Sequence, residues 1–422
     1  MECRPLVAWE TASIVALARL LLPPGVDPAV LPLLVGRGLR AFADGYIAIL
    51  LPAYLLALGF GQLDVGFLST ATLAGSAVAT LAVGAVGHRW TQQSLLLGAA
   101  VLMIATGLGF AGVSAFGPLL LVAFFGTINP GSGDVSVFLP LEHARLAHAA
   151  GGNARTVLFA RYSLTGSLCA AVGALAAGVP TWLMALASIP LLSGLRAMFV
   201  LYAIIGAAIW LMYRRLPRAK GAAAQAAIPL GPSRRIVFRL AALFSVDSFA
   251  GGLVVNSLLT LWLFERFGLS LGEAGLFFFW SGLLAAFSQL AAPLVARKIG
   301  LLNTMVFTHI PANVFLILAA VAPSLPVALG LLLARSALSQ MDVPTRTAFV
   351  MAVVTPAERA AAASFTAVPR SLASAASPTL AGALLAAGML SAPLVACGAL
   401  KIAYDLALLV SFRRMRLPID SK

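Results

Sequence analysis

Residues 215–234 read RLPRAKGAAAQAAIPLGPSR. The stretch is basic, rich in Ala, Pro and Gly, and shows no apolar period, so it reads as a linker and not as an element. On either side of it the chain repeats itself. Rare ionisable residues recur about 209 positions apart: Asp64 with Glu273, Arg89 with Lys298, Asp134 with Asp342, and Arg161 with Arg370. Asp44 meets Asp247 once a short indel is allowed, and GALAAG at 173–178 lands near GALLAAG at 382–388. Leu aligns with Leu by chance in any two apolar segments, but ionisable residues do not stay in register by chance. The linker therefore joins two related halves.

Composition fixes the solvent. With 61% hydrophobic and 10% charged residues and a mean hydropathy of +1.00, the chain is a polytopic membrane protein. A spanning helix needs roughly 20 mostly apolar residues, because lipid offers the backbone no hydrogen-bond partner. Strand alternation is absent. Six apolar segments fall near 32–58, 65–86, 93–113, 118–143, 155–179 and 194–214, and six more near 235–264, 273–296, 301–322, 326–353, 358–388 and 392–412. The expected fold is an all-α membrane protein of twelve transmembrane helices in two pseudo-symmetric six-helix bundles, 32–214 and 235–412. An N-terminal extension (1–31), the linker (215–234) and a basic tail (413–422) complete it.

The net charge of +14 does not point to nucleic acid, since the basic residues lie in short connections and not in an aromatic-interleaved patch. Arg89, Arg145, Arg155, the run from Arg214 to Arg239, Arg297 with Lys298, Arg359, and Arg413, Arg414 and Arg416 all occupy alternate connections. The positive-inside rule makes those cytoplasmic. Both termini are then expected in the cytoplasm, with the protein in the cell's inner membrane. Cys3, Cys169 and Cys397 are far apart and suggest neither a disulfide framework nor a metal site. The apolar run from Ala12 to Leu22 is too short to span, and Glu2 and Glu10 spoil a signal peptide's basic start.

Charged residues inside apolar segments are the functional candidates. An unpaired charge at mid-bilayer costs at least ~2.5 kcal/mol, so such residues normally face a bundle interior or a wet cavity. Arg37, Arg40 and Asp44 stand at i, i+3 and i+7, which reads as one helix face. Asp44 and its counterpart Asp247 are candidates for taking up and releasing a proton; the plainer reading pairs Asp44 with Arg40. Asp134 with Arg161, and Asp342 with Arg370, lie at matching depths on neighbouring helices, and can pair within a half or across the halves as a gate. In the tenth segment Arg335, Ser339, Asp342 and Arg346 follow one stripe, with Pro344 predicting a kink. An Asp342–Arg346 pair would leave Arg335 surplus, available to an anionic group. Asn129, Asn256, Gln289, His309 with Asn313, and Lys401 with Asp405 could line the same interior, though each alone reads more readily as an interhelical hydrogen bond.

Two six-helix halves, a basic central linker, and basic connections after the second and eighth helices resemble the major facilitator superfamily over about residues 32–412. The family's G-x-x-x-D-R-x-G-R-R/K signature appears here as Gly84-Ala-Val-Gly-His88-Arg89-Trp-Thr-Gln-Gln, in which Gly84 and Arg89 fit and His88, Thr91 and Gln92 depart. The second copy keeps Arg297, Lys298 and Gly300, and the aspartate is missing from both copies. Arg335 and Gln340 resemble the family's R-x4-Q-G motif, displaced to the second half and lacking its glycine. The family's antiporter motif is not matched cleanly by residues 166–180. The resemblance implies alternating access about a central site lined by helices one, four, seven and ten.

The expected function is a secondary transporter for a small solute, acting as a monomer and without a cofactor, with proton coupling as one option. Substrate or coupling candidates are Arg37, Arg40, Asp44, Asp247, Arg335, Gln340 and Asp342. Gate candidates are Asp134, Arg161, Arg346, Arg370, Arg89 and Lys298. The rivals are an uncoupled carrier or channel, and a polytopic enzyme. Residues 131–134 superficially suggest a serine-nucleophile turn, but no partner histidine stands at matching depth. No Walker loop provides for ATP.

Overall fold

The computed structural model describes residues 21–24, 26–131, 136–217, 231–355 and 358–413. Asp134, Cys3, most of the Ala12–Leu22 run, the middle of the linker and the end of the basic tail lie outside the described residues. The first half is built from α1 (Leu31–Ala57), α2 (Gln62–Val86), α3 (Gln92–Gly112), α4 (Phe116–Phe125), α5 (Phe138–Ala149), α6 (Gly152–Leu175), α7 (Val179–Ala187) and α8 (Leu191–Tyr213). The second half comprises α9 (Arg234–Gly252), α10 (Asn256–Phe267), α11 (Leu271–Ile299), α12 (Leu301–Ala320), α13 (Leu325–Ser339), α14 (Asp342–Val353), α15 (Arg359–Ala376), α16 (Pro378–Ala386) and α17 (Ala392–Phe412). Among the described residues nine helical stretches are long and apolar enough to cross a bilayer. The other three apolar segments of the sequence are each divided, into α4 and α5, α13 and α14, and α15 and α16. Large apolar side chains such as Phe125, Leu186, Leu294 and Val410 stay exposed on outward faces, as lipid requires.

Local chemistry explains the boundaries, and it repeats. The Asp64 carboxylate accepts from the Gly61 amide at 2.9 Å, and Glu273 accepts from the Ser270 amide at 2.9 Å, so both acids cap helix N-termini at the third position. The register-matched pair Asp64 and Glu273 is therefore structural. Helices α1 and α10 each end at a left-handed glycine, Gly59 (φ +88°) and Gly268 (φ +64°), which a side chain would strain. The break between α13 and α14 falls at Gln340 and Met341. Its cause is Pro344: the ring has no N–H for the carbonyl four residues earlier and clashes with it.

One side of the molecule carries the linker ends. Gln93, at the start of α3, donates to the carbonyl oxygens of Tyr213 (3.2 Å) and Arg214 (2.9 Å), and the Arg145 guanidinium donates to the Pro217 carbonyl. At the far end of the linker, Glu358 accepts from the amides of Gly231 and Ser233 and from the Thr355 hydroxyl at 2.6 Å. The Ser233 and Thr355 hydroxyls, aided by those amides, hold the Glu358 carboxyl below its usual range. A depressed folded pKa stabilises above the ordinary carboxylate value, about 4.3, and the contribution is lost as pH falls through the folded value. Hydrogen exchange at Gly231 and Ser233 should therefore rise, relative to the intrinsic rate, below about pH 4. Glu358→Gln should show raised exchange already at neutral pH; wild-type protection in that variant would refute the tether.

On the side opposite the linker the two halves close on each other. A Cβ on Gly66 of α2 would sit 2.7 Å from the Pro378 carbonyl oxygen and 3.0 Å from Gly382 Cα, and a Cβ on Gly275 of α11 would sit 2.6 Å from the Ala174 carbonyl oxygen. Gly66 and Gly275 are repeat counterparts, so two pseudo-symmetric small-residue contacts form the seam, α2 against α16 and α11 against α6. Ser69 and Ser257 hydroxyls lie 3.0 Å apart, the Ser257 amide donates to Pro130 O at 3.0 Å, and Thr379 donates to the Thr70 hydroxyl at 2.8 Å. The main apolar core runs across this seam from one half to the other. On the linker side the second half instead keeps a core of its own, around Phe244, Phe349, Tyr404 and Phe412.

Candidate functional site

Between the halves lies a cavity of about 740 Å³, lined from α1, α5, α6, α9, α10, α11, α13, α14, α15 and α17 and by Asn129, Gly131 and Gln340. A smaller space of about 500 Å³, reaching His143 of α5 and Ser364 of α15, shares Leu139, Ala367 and Ser371 with it. Together they lead toward the linker side.

The first half contributes Arg37 and Asp44 to the wall. Arg37 lies over the Tyr162 ring at 5.4 Å, in the room left by Gly166, where a Cβ would come within 2.4 Å of its Nε. Arg40 does not share that face. Three residues turn a helix by 300° and four by 400°, which puts Arg40 about 60° round the helix from Arg37 and about 40° from Asp44. It points away from the cavity, where Nη2 meets Glu142 Oε2 at 2.6 Å, Nη1 donates to the Tyr213 hydroxyl at 3.0 Å, and the guanidinium lies 4.1 Å from the Phe138 ring centroid. The Tyr162 hydroxyl donates to Glu142 at 2.5 Å, and the Tyr213 hydroxyl donates to it as well. Arg40 is thus paired with Glu142 and not with Asp44. Glu142 is fully buried and was missed from sequence. It has no acidic counterpart at the repeat spacing, and the one signal for it was a carboxylate closing an apolar run.

The second half holds a larger polar network. Asp247, 3% exposed, accepts from Lys401 Nζ at 2.6 Å and from Arg346 Nη1 at 3.1 Å. Arg346 also donates to Asp342, so Asp342 is taken by its own helix and not by Arg370. Arg370 donates through Nε to the Ser248 hydroxyl at 3.2 Å. On the next turn of α17, Asp405 Oδ2 lies within hydrogen-bond distance of His309 Nδ1, at 3.0 Å. Asn313 donates to the His309 carbonyl at 2.8 Å. His309 and Asp405 tie α12 to α17 outside the cavity wall and Asn313 bonds within α12, whereas Lys401 lines the wall.

The stripe on the tenth segment divides at its break. Arg335, Ser339 and Gln340 line the cavity, with the Gln289 amide 3.4 Å from Gln340 Oε1 and the Ser281 and Ser336 hydroxyls 2.7 Å apart. Asp342 and Arg346, beyond the break, sit behind the wall against Asp247. Asn129 and Asn256 reach the cavity. Arg161 is half-buried on α6, and Arg89 and Lys298 are exposed at linker-side ends of α2 and α11. Among the described residues no group of three metal-ligating side chains occurs.

A family model described as Major Facilitator Superfamily matches residues 33–378. The chain belongs to the major facilitator superfamily. An uncharacterised membrane protein of Saccharomyces cerevisiae is 24% identical over 420 residues, covering 91% of this chain and 93% of the yeast protein. Solved superfamily folds superpose on nearly the whole chain. The nucleoside transporter NupG gives a TM-score of 0.69 at 17% identity, covering 92% of this chain and 100% of its own. A POT family transporter in complex with a thioalcohol-conjugated peptide gives 0.70 at 15%, covering 92% and 96%. The human organic anion transporter MFSD10 gives 0.64 at 19%, covering 92% and 100%. At these identities the likeness establishes the superfamily fold. The molecule is a multi-pass membrane protein of a transporter family, and that family points away from catalysis.

Proposed function

We propose that the protein is a secondary carrier that moves a small solute across the membrane by alternating access. The observation that supports it best is the polar cavity between repeat-related halves, backed by a small-residue seam on one side and continued by a vestibule on the other. Rocking the halves would open the seam and close the linker side. The concentration of basic residues in the linker-side connections argues that this side is cytoplasmic, with both termini there and the protein in the inner membrane. In this reading 32–214 and 235–412 move as two units joined by 215–234. Asp134, Arg161, Asp342, Arg346 and Arg370 supply the charges for a linker-side gate, with Arg89 and Lys298 at its rim.

Proton coupling belongs to the same proposal. Among the described residues Asp44 and Asp247 are the acids of the cavity wall, and Asp247 already holds two cations, Lys401 and Arg346. Protonating Asp247 would release both, which is the kind of differential contact that lets one ligand bias a conformational equilibrium. Solute flux into proteoliposomes, with and without a pH gradient, tests this in wild type, Asp44→Asn and Asp247→Asn. The expected result is that at least one substitution removes the stimulation by the gradient while solute exchange persists. Unchanged pH dependence in both variants eliminates them as coupling sites. Wild-type flux that ignores the gradient makes the carrier uncoupled, and non-saturable flux makes it a channel.

A further inference from the structure

The charges of the cavity wall do not balance. Among its described lining residues, Arg37, Arg335, Arg370 and Lys401 are basic, against the acids Asp44 and Asp247. Lys401, Arg346, Asp247 and Asp342 neutralise one another, two cations to two carboxylates. Arg370 spends its Nε–H on a neutral serine and enters no ion pair among the described residues. Arg335 has none either, and its Nε–H is buried without an acceptor. Among the described residues two guanidinium groups therefore face the cavity with no carboxylate of their own.

The position of Arg335 sharpens this. It stands ten residues into α13, about 15 Å along the helix, near the middle of a hydrocarbon core about 30 Å thick. A cation held there is costly unless its partner is provided, and a mobile ligand can be that partner. Its surroundings are graded. Ser336, the next residue, meets Ser281 at 2.7 Å, and one turn from Ser281 toward the seam α11 presents Phe277 and Phe278 to the cavity. Two turns the other way stand Gln289 and Gln340. A volume of about 740 Å³ falls in the range that encloses a molecule of one or two rings.

Resting on the carrier reading, we infer that the solute is a small amphiphilic organic oxyanion, its anionic head held by Arg335 and its apolar body lying along Phe277 and Phe278. The guanidinium fork matches the oxygens of a carboxylate or a phosphate two at a time, and Gln289 and Gln340 can bond further polar edges of the solute. The pair of uncompensated arginines repels cations from the same space.

The test uses the full-length protein in detergent and matched naphthalene probes: naphthoate, naphthyl phosphate, naphthamide and naphthylmethylamine. Ligand-dependent thermal stabilisation reports binding, and saturable flux of the same probes in proteoliposomes reports carriage. One or both anions should stabilise wild type, the amide and the amine should not, and Arg335→Gln should weaken the apparent affinity for the anion roughly 10- to 100-fold. Arg335→Lys, which keeps the charge but not the fork, should fall between, and it carries the test should Arg335→Gln not fold. Naphthoate against naphthyl phosphate separates the two oxyanion classes. Stabilisation by the amine or amide equal to that by the anions, no response to any probe, or an anion response untouched by both substitutions overturns the substrate class. Anion binding without saturable flux keeps the class and removes the carrier reading; amine flux without anion binding does the reverse.

Discussion

Replacing Glu142 by Ala should cost about 3–5 kcal/mol, the range for stranding one member of a buried ion pair. That is a large share of the 5–15 kcal/mol by which a folded protein usually persists. The size follows from how many groups depend on that carboxylate: Arg40, Tyr162 and Tyr213 all donate to it, and all four residues are buried. Removing it leaves a guanidinium on α1 facing, among the described residues, the Tyr213 hydroxyl and the Phe138 ring. The loss should appear as a lower yield of monodisperse protein in mild detergent and as a lower melting temperature. Arg40→Met with Glu142→Leu should recover much of it, because no charge is then stranded. Recovery will be partial, since two buried tyrosine hydroxyls still lack their acceptor, at about 1–3 kcal/mol each. Adding Tyr162→Phe and Tyr213→Phe should restore the rest. A Glu142→Ala protein as stable as wild type would show that the cluster is not a structural lock, and would make Arg40 a group that readily finds another partner.

That cluster also lies beyond what the sequence makes legible. Apolar run lengths, the linker composition and the 209-residue register were legible because each depends on local chemistry or on duplication, and Asp64 and Glu273 cap their helices in the same way in both halves. Which residues face the cavity depends on helix phase, and phase tolerates little error. Arg40, one turn from Arg37, points into a different compartment, and the break at Gln340 divides a stripe that a straight helix would have carried from Arg335 to Arg346. Partners depend on packing between segments far apart in sequence. Asp247 lies 99 residues from Arg346 and 154 from Lys401, and no periodicity could have joined them. Arg335, by contrast, was identified as surplus from sequence, because its helix offers one carboxylate to two arginines and the nearer arginine takes it.

The seam opposite the linker carries the largest functional prediction. Gly66→Leu, or its counterpart Gly275→Leu, should disable carriage with little effect on either half by itself. At both glycines the neighbouring backbone already stands where a Cβ would go, 2.7 Å from Pro378 O and 2.6 Å from Ala174 O, and a carbonyl oxygen cannot turn aside as the end of a flexible side chain can. Overpacking of this kind costs typically 1–3 kcal/mol. The contact exists only while the seam is shut, so the penalty falls on one conformation and becomes a population shift of about 5- to 150-fold away from it. A cysteine placed at Ser257, where the seam is bonded to Ser69 and Pro130, reads that shift in a background lacking Cys3, Cys169 and Cys397. A membrane-impermeant maleimide applied from the side opposite the linker should label it faster in the leucine variants, while net flux falls by a comparable factor. Because the two glycines are related by the duplication, the double variant should behave like a stronger version of either single one. Labelling and flux at wild-type rates in both variants would mean that the halves do not separate along this line, and that the cavity empties by some other motion.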